Sequence, residues 1–263
     1  MAGNSAFVPV RERGWRRGLS NLLRADFAQW WKTRQGWMQA LIWTAVINGI
    51  LAAILWSGES DATVNPPMIY SLFTGMFAAV AVIIILQDAI VGEKQSGTAA
   101  WVLSKPVSRP AFIVSKIIPN AIGVLVTMVL IPGAVAYAQI ALATGTAIPP
   151  LQFIAAQGIL WLNLIFYLTL TLMLGTLFNH RGPVIGLALA FLFGQQYLVG
   201  LVPALIKVLP YTLALPIDEN FNAIAASVML GQAPHSWLPA VSSAVLAVVF
   251  VAVSIWKFNQ EEF

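Results

Sequence analysis

Gly92 to Lys116 reads GEKQSGTAAWVLSKPVSRPAFIVSK, a polar island whose charges are Glu93, Lys94, Lys105, Arg109 and Lys116. The runs on either side are apolar and long enough to cross a membrane. Inside the island, Gly97 to Ser104 has the make-up of a short helix, closed by Gly97 in front and Lys105-Pro106 behind. An ordered basic loop beneath membrane helices is a docking surface for a soluble partner. The question becomes what drives the chain rather than what reaction it performs.

Composition agrees. The 263 residues are 59% hydrophobic and 9% charged, with mean hydropathy +0.81. Soluble domains carry about a quarter charged residues, so this is the composition of an integral membrane protein. The sequence pI of about 9.6 comes from basic residues at helix ends, which leaves no basic face for tracking phosphates and argues against nucleic acid. With no cysteine, disulfides, iron–sulfur clusters and thiolate metal sites are excluded. His180 and His235 fall outside the apolar runs, so no haem is expected within the bilayer. No GxxxxGK[ST], G-x-S-x-G or HExxH arrangement occurs, and no catalytic, cofactor-binding or metal-ligating residue is assigned. Energy for uphill work must then come from another subunit.

Six apolar segments are long enough to span: Trp37–Trp56, Met68–Val91, Phe112–Leu142, Leu151–Phe178, Pro183–Ile206 and Leu238–Trp256. Met1 to Val10 shows no periodicity. Trp15, Leu19, Leu22, Leu23, Phe27, Trp30 and Trp31 form one helical face opposite Arg16, Arg17, Asn21, Arg24, Gln29 and Lys32. A basic, tryptophan-rich amphipathic helix belongs at the headgroup level. With the amino terminus inside, 13 of the 14 basic residues face the cytoplasm and only Lys207 lies outside. Glu59, Asp61, Asp218 and Glu219 then fall in outer loops. The expected fold is all-α and membrane-integral. It comprises an N-terminal segment 1–36, a six-span domain 37–257 with a cytoplasmic loop 92–111 and an outer segment 207–237, and a cytoplasmic tail 258–263.

Several local features sharpen this plan. Pro110 to Leu142 would run about 50 Å as a helix, so its first turns should project beyond the membrane core. Ser108 is placed to start that helix, and Pro119 and Pro132 should kink it. The outer segment is apolar yet broken by prolines, which predicts short re-entrant helices; one should cover Phe221 to Leu230, capped by Asp218 or Asn220. Asp88 should pair with a nearby lysine or arginine. No ionisable residue lies near the middle of a span, which disfavours an ion-coupled carrier. Asn163, Tyr167, Gln195 and Gln196 are uncharged polar residues within spans, suited to interhelical hydrogen bonds or to the lining of a path.

The island also carries a family resemblance. Glu93-x-x-x-Gly97-Thr98, then Leu103-Ser104-x-Pro106-Val107-Ser108-Arg109, then Lys116, resembles the cytoplasmic signature of type-2 permeases of ABC transporters. Span order, N-terminal helix and long outer segment are similar too, while Ser115 and Ala99-Ala100-Trp101 depart from the usual pattern. The resemblance implies a permease of an ATP-driven exporter that pairs with a second copy or a related permease. It also implies two ATP-binding subunits, which hold ATP and Mg, in a bacterial-type inner membrane. Residues 97 to 104 would be the coupling helix, with Trp101 and Leu103 as apolar anchors. Glu93, Lys94, Lys105 and Arg109 would form a charged rim around it. Competing readings are a membrane anchor that recruits cytoplasmic proteins and an ATP-independent channel or carrier.

Overall fold

The computed structural model describes residues 12–57, 65–216 and 222–262. The acidic residues Glu59, Asp61, Asp218 and Glu219, and the segment Met1 to Val10, lie outside them. Among the described residues there is no strand. Six helices among the described residues are long and apolar enough to cross a membrane: Gln35–Leu55, Pro66–Gln95, Arg109–Thr144, Pro150–Leu177, Arg181–Leu201 and Leu238–Gln260. The chain is an all-α, multi-pass membrane protein.

Local chemistry explains the boundaries. A short turn at Gly14–Arg16 precedes α1 (Leu19–Trp31), so the expected single amphipathic helix is interrupted at Gly18, which has φ 80°. α2 (Gln35–Leu55) is the first span. α3 (Pro66–Leu86) starts on a proline pair, with the Asn65 side chain accepting from Met68 N. It continues through Gln87 into α4 (Asp88–Gln95), so the second span extends into the polar island. α5 (Thr98–Leu103) is the short island helix, entered through Gly97 at φ 72°.

α6 (Arg109–Val124) begins where Ser108 caps it, its hydroxyl accepting from Ala111 N at 3.2 Å. The helix runs through buried Pro119 and widens into a π-helical stretch, Leu125–Leu130, before α7 (Ile131–Thr144). That wide turn lies just before Pro132, whose missing N–H and bulky ring cannot fit a regular α-ladder.

α8 (Pro150–Leu177) is the central helix; 72% of its apolar window is buried, against 22% for α2, α9 (Arg181–Leu201) and α12 (Leu238–Gln260). A helix apolar on all sides belongs in the middle of a bundle. One core cluster gathers around it at the loop end, including Val82, Phe112, Met128, Leu164 and Phe166. A second forms at the opposite end around Leu51, Tyr70, Phe153, Leu160 and Leu213.

The fifth span ends at Leu201, short of the expected Ile206, because Val202 precedes Pro203 and is held out of the helical region. Beyond it come a 3₁₀ turn (Pro203–Lys207), α10 (Tyr211–Ala214) and α11 (Ile224–Met229). The expected helix from Phe221 to Leu230 is shorter, with Ala223 at its cap; Asp218, Asn220 and Phe221 lie outside the described residues. Leu213, Ala214 and Ala225 are fully buried, so these short helices sink into the bundle as the apolar, proline-broken sequence requires.

Their seat is a glycine. A Cβ on Gly75 would lie 2.0 Å from the Ala214 Cβ, whereas one on Gly158 would meet open space. Gly75→Ala is expected to lower stability by about 1–3 kcal/mol through overpacking. Gly158→Ala should be neutral or slightly stabilising. Thermal unfolding of the two purified variants measures the difference.

Candidate functional site

The polar island folds as a knob, a short helix set between the end of α4 and the start of α6. Gly97 takes the left-handed conformation that turns α4 into α5, a geometry few other residues adopt without strain. Ala99 is fully buried against the core, and Val102 and Leu103 pack beside it. Trp101 points the other way and is 62% exposed. The Lys105 ammonium sits 3.2 Å from its ring centroid, a cation–π contact that orients the indole. Gly97, Thr98 and Pro106 are exposed around it. A small cavity of about 250 Å³ beneath the knob is lined by Ala100, Leu103, Ser104, Val107 and Arg109.

The other charges of the island turn inward. Lys116 is 8% exposed and lies between Glu93 Oε1 at 2.5 Å and Asp26 Oδ1 at 3.0 Å. This triad ties α1, α4 and α6 together. Trp30 adds a second tie: its Nε1 donates to Asn120 Oδ1 at 2.9 Å, and its ring fills the space above Gly123. Lys94 reaches Glu261 Oε1 at 2.6 Å and donates to Thr176 O at 3.0 Å. Arg109 Nη1 donates to Phe258 O and Asn259 O. Asp88 pairs with Arg181 at 2.7 Å, as expected of it, and both side chains are about half exposed, which limits the pair to about 1 kcal/mol at most. A polar crevice of about 340 Å³ opens among these groups, with Asp26, Trp30, Asp88, Glu93, Lys116 and Arg181 in its walls.

The expected docking residues therefore separate. Trp101, Lys105, Gly97, Thr98 and Pro106 present an outer surface; Leu103 is half-buried; Glu93, Lys94 and Arg109 fasten the knob to the bundle. The in-span polar residues separate likewise. Asn163 Nδ2 donates to Gly75 O at 3.0 Å. Gln195 Nε2 donates to the Tyr167 hydroxyl at 2.6 Å, and its Oε1 accepts from Tyr211 N at 3.1 Å. These three bind α3, α8, α9 and α10 to one another. Gln196 instead stands exposed on α9, beside exposed Phe193 and Tyr197.

Sequence reading missed Asp26, Asn120, Phe258 and Glu261. Asp26 carried a signal: it is the one acid of the N-terminal helix and falls four residues before Trp30, on the apolar face. Glu261 sits in a terminal polar run with no pattern to mark it.

Six long apolar helices, with a short helix on the loop between the second and third, are the architecture of an integral membrane protein. A comparison with protein families matches residues 19–263 to the family described as ABC-2 family transporter protein. The chain belongs to that family, and is a membrane permease subunit of an ABC transporter, with an ATP-binding partner implied. No curated protein matches it.

Removing one member of a buried ion pair strands the others. Lys116→Met leaves Asp26 and Glu93 facing each other and is expected to cost about 3–5 kcal/mol. Adding Asp26→Asn and Glu93→Gln to that variant should recover much of the loss, read by the thermal unfolding midpoint in detergent.

Proposed function

We propose that this chain is the membrane-spanning subunit of an ATP-driven exporter and that loop 92–111 docks in a groove of the ATP-binding subunit. The observation that carries this reading is Trp101: a large aromatic ring held outward on a six-residue helix, oriented by Lys105. Aromatic anchors with a polar surround are how interface hot spots are built. The loop then lies in the cytoplasm, as do both chain ends, and the membrane is the bacterial-type inner membrane. ATP and Mg belong to two copies of the partner, and ATP hydrolysis occurs there.

A second permease, identical or related, completes the assembly. The exposed side of α9 with Phe193, Gln196 and Tyr197 suits that seam, because an amide facing lipid is unfavourable and one facing another subunit or a path is not. Asn163, Tyr167 and Gln195 are spent on bonds within one copy, which moves the proposed path toward Gln196. Nucleotide binding closes the two ATPases, moves the coupling helices and shifts the permeases between two packings.

Trp101→Ala combined with Leu103→Ala is expected to weaken co-purification of the ATP-binding subunit while membrane insertion persists. Undiminished association in the double variant would remove the docking assignment.

A further inference from the structure

Lys94 and Arg109 stand on either side of α5 in sequence, and both turn from the exposed tip toward the C-terminal end of α12 and the Glu261 that caps it. Lys94 Nζ meets Glu261 Oε1 at 2.6 Å. Arg109 Nη1 donates to Phe258 O at 3.1 Å and to Asn259 O at 2.6 Å. The last carbonyls of a helix have no partner within it and form the negative end of its dipole, so a guanidinium there is held doubly. Phe258 is fully buried and stacks on Phe112 of α6, centroids 4.9 Å apart and planes 7° from parallel. Covalently, α5 is joined only to α4 and α6. Through these contacts α4 and α6, the two helices that carry it, are also joined to the end of the sixth span. α12 in turn packs along α8 more extensively than along any other element.

We infer that the last turn of α12 is a clamp on the coupling loop, so that displacement of α5 is delivered to α12 and α8 as well as to α4 and α6. The inference rests on the docking role proposed for the loop. Lys94, Arg109 and Glu261 act as positioning residues: they hold the knob by its two flanks and leave Trp101 to the partner. A loop held only by its covalent ends could rock on α4 and α6 without moving the sixth span. With the end of α4 and the start of α6 both fastened to the end of α12, force that reaches either flank is passed to the sixth span.

The absence of cysteine from the chain permits clean spin-label pairs. Ser104→Cys with Gln260→Cys reads the clamp itself. Leu151→Cys with Val241→Cys, both exposed and both at the far end, reads motion of α12 against α8. Measurements use the complex with its ATP-binding partner in lipid nanodiscs. The first pair should give one narrow distance peak, lose it in Glu261→Lys, and regain it when Lys94→Glu is added. The second pair should shift when nucleotide is trapped with vanadate, and that shift should vanish and return in the same two variants. Glu261→Gln, a milder change, should broaden the first peak without affecting yield. Retained ATPase association in Glu261→Lys alongside a lost nucleotide response is the supporting pattern. A broad first peak in the parent, a peak indifferent to charge reversal, or an α12 that does not answer to nucleotide while the ATPase stays bound would each overturn the clamp and leave the docking reading standing. Loss of docking in the Trp101 and Leu103 double variant, with the first peak still narrow, separates the two claims from the other side.

Discussion

A charge placed near hydrocarbon must bring its countercharges with it, and Lys116 is where this chain obeys that rule. Its ammonium is nine-tenths buried, yet it meets carboxylates from two other helices. An unpaired lysine there would carry a desolvation cost of several kcal/mol, so α1 and α4 have little freedom to sit elsewhere. The N-terminal helix is thereby fixed beside the third span, Trp30 can lie over Gly123, and α4 is aimed so that Gly97 turns the chain into α5. That lysine and its two partners thus set where α4 delivers the chain to the knob.

Around this point the molecule divides its work. The loop end is held by ions and charge-assisted hydrogen bonds: Lys116 with its two acids, Lys94 with Glu261, Arg109 with the end of α12. The opposite end is held by close packing and neutral hydrogen bonds, with Gly75 admitting Ala214 and Asn163 and Gln195 bonding to backbone. Charged links suit a region at the water boundary. Neutral amides suit the interior, where the alternative is an unsatisfied polar group in hydrocarbon.

Much of this was legible from residues alone. Six long apolar runs announce six spans because a bilayer sets their length, and the observed helices fall within a few residues of those runs. Gly97, Lys105-Pro106 and Ser108 mark the short helix and the start of the next because each has a narrow set of backbone roles. The proline-broken outer segment could be read as short re-entrant helices for the same reason. What escaped was partnership. Nothing in the composition of the island tells Glu93, which turns inward, from Lys105, which stays out; that depends on which helix lies opposite, and tertiary neighbours are not periodic. The family signature groups these residues as one motif, while the geometry splits them into those that face outward and those that hold the loop. Gln195 and Gln196 make the same point with adjacent, identical side chains: a step of about 100° around a helix sends one into the bundle and the other out of it.

The wide turn at Leu125–Leu130 has a consequence for the longest helix. Below it, α6 is keyed by Lys116 and Asn120 to the N-terminal helix and the second span. Above it, α7 is keyed by Pro132, whose carbonyl accepts from Asn48 of the first span at 3.1 Å. An unbroken α-helix would force both halves to share one angular phase, and a fit at one end would spoil the other. The π-helical stretch absorbs the mismatch, much as a slack coil between two meshed gears lets each keep its own teeth engaged. The rod that looks continuous is two indexed segments, and a twist applied to the lower one need not arrive at the upper one undiminished.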